Sequence, residues 1–130
     1  MNTLQLSDCL ILITDDDVIN RVILKHMLKE VGIQQEEATD GEECLTVIQN
    51  SKAKRIILLL DLNMPVMDGY EVIKHIKSKP SAFEHIRILV VSASLYSHFA
   101  KSGLSDDIHG YIDKPVDKEH LLTKVLECSI

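Results

Sequence analysis

The sequence predicts an α/β fold in which a parallel β-sheet is covered by helices on both faces. Short apolar runs alternate with stretches of helical periodicity, and five such strand-helix repeats follow one another along the chain. Three of the runs are continuously apolar, as strands buried on both faces should be: residues 9–13 (CLILI), 56–60 (IILLL) and 88–91 (ILVV). A chain of 130 residues suits one domain with a substantial core. We therefore predict a single domain over residues 1–130 with five strands and five helices.

The first helix is predicted between the first two strands. Its apolar face is predicted from residues spaced by four along the chain: Ile19, Ile23, Met27 and Val31. Leu24 and Leu28 lie beside them on the same face. Gly32 is expected to end this helix. Residues 33–39 are polar and form the weakest strand, which is best placed at a sheet edge.

The remaining elements follow the same alternation. Three further helices are predicted from apolar residues that share one face: Cys44, Leu45 and Ile48 after Asp40-Gly41; Val72, Ile73 and Ile76 from Gly69 to before Pro80; and Leu121, Leu122, Val125 and Leu126 at the chain end. Residues 95–108 lose their periodicity, so any helix there should be short. Residues 110–113 (GYID) form the last strand.

Composition excludes several classes of function. With 20 acidic and 14 basic residues the net charge is −6, which disfavours direct nucleic-acid binding. No apolar run approaches the ~20 residues that span a bilayer, and the first eight residues lack a basic targeting segment. The three cysteines, Cys9, Cys44 and Cys128, have neither disulfide nor zinc spacing and read as buried thiols. We expect a cytoplasmic protein without membrane contact.

Polar side chains follow the predicted strands at their carboxyl ends. Asp15 and Asp16 follow the first strand, Asp61 the third, Ser92 the fourth and Lys114 the fifth. In an open parallel sheet, ligands bind beyond the carboxyl ends of the strands, where the strand order reverses. One crevice is therefore expected to hold all five side chains.

Three convergent carboxylates would repel one another unless a cation lay between them. Oxygen ligands without histidine or cysteine favour Mg²⁺, with Mn²⁺ as the alternative, and Mg²⁺ in such sites commonly shares a substrate phosphate. The lysine and serine are suited to bind phosphoryl oxygens. Asp61 is the expected nucleophile because it stands alone after the most buried strand, whereas Asp15 and Asp16 are better placed to hold the metal.

Four segments together resemble one protein family, the CheY-like receiver domains of two-component signalling. They are residues 11–16 (ILITDD), 61–69 (DLNMPVMDG), 91–93 (VSA) and 114–115 (KP). The D-x-x-M-P-x-M-D-G run is highly specific, and the resemblance covers nearly the whole chain. It implies a flavodoxin-like three-layer sandwich with strand order 2-1-3-4-5.

The resemblance also implies roles for individual residues. Asp61 would accept a phosphoryl group from a histidine kinase or a histidine phosphotransfer protein, in a bacterial phosphorelay. Mg²⁺ would be held by Asp16, Asp61 and the backbone carbonyl of Asn63, with Asp15 acting through water. Lys114 would pair with the phosphoryl group. The chain would assist its own phosphorylation and dephosphorylation without being a turnover enzyme.

A switch is implied in the same way. The hydroxyl of Ser92 would move toward the phosphoryl group and free space for Tyr111 to rotate inward, changing the surface of the fourth helix, fifth strand and fifth helix. The Lys114-Pro115 bond is expected to be cis. A downstream partner protein and a homodimer formed on phosphorylation are further expectations. Residues 15–21 (DDDVINR) are similar to receiver segments of hybrid histidine kinases, so the native chain could be free-standing or part of a larger protein.

Other interpretations of these residues stay open at this point. Asp17 and Asp68 suit helix N-caps better than the site, and Tyr111 suits a half-buried core position equally well. The six histidines lack metal-ligand spacing. An aspartate-nucleophile phosphatase would need an acid two positions after the nucleophile, where Asn63 stands. A degenerate receiver that only binds proteins would have lost Asp61, Lys114 or the acidic pair, and none is lost.

Overall fold

A computed structural model of the protein describes residues 4–130. Five parallel strands form one sheet in the order β2-β1-β3-β4-β5. Their bounds are β1 Cys9–Thr14, β2 Gln34–Ala38, β3 Arg55–Leu60, β4 Ile86–Ser92 and β5 Gly110–Asp113. The predicted sheet and its strand order are confirmed. The order reverses between β1 and β3, which places a crevice beyond their carboxyl ends.

Five helices cover the sheet on both faces. Their bounds are α1 Val18–Leu28, α2 Gly41–Asn50, α3 Gly69–Ser78, α4 Tyr96–Ala100 and α5 Lys118–Cys128. The buried side chains of α1 and α5 belong to one core cluster, and those of α2, α3 and α4 belong to the other. The two clusters lie on opposite faces of the sheet, so the predicted three-layer arrangement is confirmed.

The central strands are apolar throughout because both of their faces are covered. In β1, Leu10 and Leu12 point into the cluster under α2 and α3, whereas Ile11 and Ile13 point into the cluster under α1 and α5. All six residues of β1 are buried. β2 lies at the sheet edge and is mostly exposed, as its polar sequence predicts.

The predicted inner face of α1 is wrong at its N-terminal half. Leu24 and Leu28 are buried, but Ile19 is 64% exposed and Ile23 is 44% exposed. Residues spaced by four advance about 40° further than a full turn at each step, because the helix has 3.6 residues per turn. The row from Ile19 onward therefore winds from the solvent side toward the sheet and reaches the core only near Met27.

The same drift affects the closing helix. Leu121 and Val125 are buried and Leu122 is partly buried, but Leu126 is 46% exposed, contrary to the prediction. The inner position of the last turn is taken instead by Cys128. Residues 95–108 contain only the five-residue α4 and a short 3₁₀ turn, so the expectation of a short helix is confirmed.

The thiols and helix lengths agree with the composition. Cys9, Cys44 and Cys128 are free and buried. Burial raises the pKa of the Cys44 thiol to about 12, which leaves it protonated and unreactive. Within residues 4–130, every helix falls short of the length and apolar character that crossing a bilayer requires. The single-domain prediction includes residues 1–3, which lie outside the described residues.

The loop between β3 and α3 is tightly built around the site. A Cβ at Gly69 would overlap the backbone of Asp61 and Leu62, so only glycine lets α3 begin this close to the end of β3. Gly69 N–H donates to the carbonyl of Leu62 at 3.0 Å. Within the same loop Val66 has a φ of 68° and is 74% exposed. A β-branched residue in the left-handed region is strained.

We expect Val66→Asn to raise the free energy of unfolding by about 1 kcal/mol, because asparagine tolerates the left-handed conformation and little packing is lost at an exposed position. Urea unfolding followed by circular dichroism measures the change. Val66→Ile keeps the branched Cβ and is the control, for which stability should match the unsubstituted protein. Equal stability of the asparagine and isoleucine variants would contradict the strain.

Candidate metal and phosphoryl site

The register of β1 and β3 brings together the aspartates that follow these two strands, Asp15 and Asp61. Thr14 pairs with Leu60 across β1 and β3, and the next residue of each strand is an aspartate. The ladder continues one bond further, because Asp61 N–H donates to the Thr14 carbonyl at 3.0 Å. Asp15 N–H in turn donates to the Ala38 carbonyl of β2 at 3.1 Å. Backbone pairing therefore fixes Asp15 and Asp61 side by side at the carboxyl edge.

Three carboxylates meet at this edge. One oxygen each of Asp15, Asp16 and Asp61 lies within 4.8 Å of the others. Asp15 is 2% exposed and Asp61 is 8% exposed, whereas Asp16 is open to solvent. Within residues 4–130, these three form the only group of potential metal ligands this close together, and it includes no histidine.

Lys114 reaches into the same cluster from the end of β5. Its Nζ lies 3.0 Å from Asp15 Oδ2 and 3.7 Å from Asp61 Oδ2. Its backbone N–H donates to the Ser92 carbonyl at 2.9 Å, so the ends of β4 and β5 are joined directly beside the site. The Lys114-Pro115 peptide bond is cis, as expected. The lysine side chain is only partly exposed and is held by two carboxylates.

Burial and charge raise the pKa of the Asp61 carboxyl above its ordinary value of 3.8. Desolvation is the largest cause, and the negative charge of Asp15 adds to it. Lys114 opposes both effects, as does the weak contact from Asn63 N–H to Asp61 Oδ1 at 3.5 Å. The ionised form of Asp61 is therefore costly in the folded protein, and a cation beside it would relieve that cost.

Ser92 and Tyr111 are joined through Ser94. Ser92 is fully buried, and its Oγ accepts a hydrogen bond from Ser94 N–H at 3.0 Å. Tyr111 is half-buried, and its hydroxyl donates to the Ser94 carbonyl at 2.6 Å. The ring of Tyr111 packs against Phe99 and Tyr96 of α4, with centroid distances of 5.6 Å and 5.3 Å. One residue thus connects the serine to the tyrosine and to α4.

The two aspartates predicted to be helix N-caps, Asp17 and Asp68, have that structural role. The side chain of Asp17 accepts a hydrogen bond from Ile19 N–H and begins α1. The side chain of Asp68 accepts one from Glu71 N–H, with the reciprocal bond of a capping box, and begins α3. Neither residue belongs to the carboxylate cluster.

Sequence reasoning missed two residues that contact the site. Arg21 donates from Nη1 to the backbone carbonyl of Asp15 at 2.8 Å. Ser94 connects Ser92 to Tyr111, as described above. A cation one helical turn after Asp17 was the available signal for Arg21, since the first turn of α1 starts beside the acidic loop. Ser94 acts through its backbone N–H and carbonyl, which every residue type has except for the N–H of proline. The sequence therefore could not indicate its role.

The donor set suits Mg²⁺ or Mn²⁺. Carboxylate oxygens alone, without nitrogen or sulfur ligands, are the preferred surroundings of these hard cations. The exposed position of Asp16 leaves the site open on the solvent side, where a phosphate and water could complete the coordination. Asp15, Asp16 and Asp61 would hold the ion.

Comparison with known proteins gives the family of this chain. The family model described as "Response regulator receiver domain" matches residues 11–126. The sensor histidine kinase CheAY of Helicobacter pylori is 32% identical over 119 residues, which cover 92% of this chain and 15% of that protein. The sensor protein EvgS of Escherichia coli is 33% identical over 113 residues, 87% of this chain and 9% of that protein. The chain thus spans a small part of both relatives.

A solved structure agrees with this assignment. The chemotaxis protein CheY4 of Vibrio cholerae has 28% sequence identity and a TM-score of 0.79, with 92% of this chain and 98% of that chain covered. The shared fold, the family match over residues 11–126 and the carboxylate edge lead to one conclusion. The chain belongs to the response regulator receiver domain family of two-component systems.

Proposed function

We propose that the protein is a phosphoacceptor receiver in which Asp61 takes one phosphoryl group, with Mg²⁺ held by Asp15, Asp16 and Asp61. The observation that carries this proposal is the convergence of three carboxylates within 4.8 Å beside the Lys114 ammonium. The backbone carbonyl of Asn63 is proposed as a further metal ligand, on the resemblance alone. The protein is proposed to act stoichiometrically and not as a turnover enzyme.

In the proposed reaction, an oxygen of Asp61 attacks the phosphorus of a phosphohistidine. The new O–P bond forms as the P–N bond breaks, and the electron pair goes to the imidazole nitrogen, which then takes a proton. The divalent cation supplies positive charge that offsets the carboxylates and the phosphoryl oxygens. Lys114 already lies 3.7 Å from Asp61 Oδ2 and is proposed to transfer its contact to a phosphoryl oxygen.

The proposed switch runs through Ser94. If the Ser92 hydroxyl turns toward a phosphoryl oxygen, it gives up the hydrogen bond from Ser94 N–H. The Ser94 carbonyl, which holds the Tyr111 hydroxyl, then becomes free to shift with the rest of the residue. Tyr111 contacts both aromatic residues of α4, so its rotation is proposed to alter the surface formed by α4, β5 and α5. This connection favours a switching role over a purely structural one.

The proposed phosphodonor is a histidine kinase or a histidine phosphotransfer protein, in keeping with the kinase relatives. The acidic site lies at the start of α1, and the exposed apolar side chains of Val18, Ile19 and Val22 extend from it along that helix. This surface of α1 is the proposed binding surface for the phosphodonor, since a protein that delivers a phosphoryl group to Asp61 must cover the sheet edge beside α1. A downstream partner, a homodimer formed on phosphorylation and a cytoplasmic location are also proposed.

Acetyl phosphate with Mg²⁺ is expected to add one phosphoryl group to the protein, and Asp61→Asn is expected to abolish the addition because Asp61 is the proposed nucleophile and Asp15 is held by hydrogen bonds to Asp17 N–H and Lys114. Intact-mass spectrometry measures both, and sensitivity to hydroxylamine identifies an acyl phosphate. Asp68→Asn is the matched control, since it lies in the same loop and asparagine preserves the helix cap. No mass gain would indicate a degenerate receiver, and turnover of phosphate monoesters that cannot phosphorylate a carboxylate, such as p-nitrophenyl phosphate, would indicate a phosphatase.

Lys114→Ala is expected to be phosphorylated at a reduced rate yet to lose the change at the distal surface, because the lysine links the phosphoryl group to the ends of β4 and β5. Amide chemical shifts around Tyr111, recorded before and after acetyl phosphate, measure the response. The exposed Lys118→Ala is the control and should respond as the unsubstituted protein does. Shifts of the usual size in Lys114→Ala would exclude this linkage.

Asp61→Asn is expected to raise the melting temperature of the metal-free protein at neutral pH. Because the pKa of Asp61 is raised in the folded state, folding favours its protonated form, and stability falls as pH rises from 3.8 through the folded value. The gain of the variant should therefore be present at pH 7 and vanish in acid below pH 3.8. Mg²⁺ should stabilise the unsubstituted protein more than Asp61→Asn. Thermal melts of both proteins at several pH values measure the difference in melting temperature. A difference that does not depend on pH would refute its electrostatic origin.

A further inference from the structure

Arg21 joins the acidic loop to the edge of the sheet. Its Nη1 donates to the backbone carbonyl of Asp15 at 2.8 Å, and its Nε donates to Glu37 Oε1 at 3.0 Å. The guanidinium side chain is 13% exposed, so it is well shielded from water. Glu37 lies in β2, the strand next to β1. One planar group thus spans from the outer strand to the loop that carries two site carboxylates.

The contact with Asp15 falls on the backbone and not on the carboxylate. A peptide unit is planar, so holding the Asp15 carbonyl also fixes the N–H of Asp16 and the rotation between the two residues. Asp15 has other anchors: its N–H bonds Ala38, its Oδ1 accepts from Asp17 N–H at 2.9 Å, and its Oδ2 faces Lys114. Within residues 4–130, the exposed Asp16 carboxylate has no such hydrogen bond. Its direction therefore depends on the peptide plane that Arg21 holds.

We propose that Arg21 is a positioning residue, which sets the divalent-cation affinity of the acidic site by holding the peptide plane between Asp15 and Asp16. This inference rests on the proposed function, because it assigns to that same site a determinant of metal binding. Groups that orient metal ligands without touching the metal commonly change its affinity by tenfold or more. Arg21 acts through the backbone, since its side-chain hydrogen bonds go to the Asp15 carbonyl and to Glu37.

The charge of Arg21 has the opposite effect to its positioning role. A cation near three carboxylates would weaken Mg²⁺ binding, so its removal on charge grounds alone would tighten binding. That charge is already paired with Glu37, whose pKa is lowered by hydrogen bonds from Lys25 and from Arg21 itself. Glu37 offsets one of the two positive charges of Arg21 and Lys25, which both bond it. Positioning is therefore expected to decide the sign, and loss of Arg21 should weaken binding.

Mn²⁺ binding to the full chain tests the inference, measured from the electron paramagnetic resonance signal of the free ion. Arg21→Met is expected to weaken Mn²⁺ binding roughly tenfold. Arg21→Lys should also weaken Mn²⁺ binding, because a lysine ammonium cannot bond the Asp15 carbonyl and Glu37 at the same time as the planar guanidinium does. Lys25→Met is the matched control: Lys25 also bonds Glu37, at 3.0 Å, but the structure shows it no hydrogen bond to the acidic loop. Its affinity should equal that of the unsubstituted protein.

Phosphorylation by acetyl phosphate supplies a second readout. The Mg²⁺ concentration for half-maximal rate should rise in Arg21→Met, while the rate at saturating Mg²⁺ should stay unchanged. A general loss of structure would lower the saturating rate as well. Should Arg21→Met not fold, Glu37→Gln replaces it, because freeing the outer end of the guanidinium should weaken Mn²⁺ binding more than Lys25→Met does.

Three results would overturn the inference: unchanged affinity in Arg21→Met, full affinity in Arg21→Lys, which would show that the planar fork is not needed, or equal losses in Arg21→Met and Lys25→Met. Each of these leaves the proposed function intact as long as the unsubstituted protein gains its phosphoryl group. Failure of the unsubstituted protein to gain that group would instead reject the proposed function. The two claims are therefore tested separately in one set of samples.

Discussion

Parallel pairing between β1 and β3 places two aspartates side by side at the edge of the sheet, and the site is built on this contact. Thr14 faces Leu60, and the residue after each is acidic. Both strands are buried on both faces, so neither can slide to relieve the repulsion without moving apolar side chains out of the two cores. The apolar core thus holds together charges that would otherwise separate. A cation bound in the proposed site would relieve that repulsion.

Asp15 is the most connected member of the site. Its backbone N–H donates a hydrogen bond to β2, and its backbone carbonyl accepts one from Arg21. Its two carboxylate oxygens accept hydrogen bonds from the start of α1 and from Lys114. Asp61 has fewer partners, and its carboxyl has a raised pKa from burial. The division matches the proposed chemistry. A nucleophile needs an oxygen with a free direction of attack, whereas a metal ligand benefits from being fixed.

A second set of contacts leads away from the site toward α4. The serine hydroxyl, the backbone of Ser94 and the tyrosine hydroxyl form a continuous path that ends in the packed rings of Tyr111 and α4. α4 is only five residues long and has no side-chain N-cap. In the proposed switch, a change at Ser92 would reach this short helix through the ring of Tyr111.

Much of this molecule was determined by the sequence alone. Continuous apolar runs determined the three central strands, because residues covered on both faces must all be apolar, and the polar residues after the strands determined where the carboxylate cluster would lie. The rotation of α1 and α5 was decided only by tertiary packing, since four-residue spacing drifts around a helix and does not say which residues meet the sheet. The contacts of Arg21 and Ser94 with the site were also decided only by the tertiary structure. Their partners are backbone atoms, which are the same in every residue and become distinctive only when the folded chain brings them within reach.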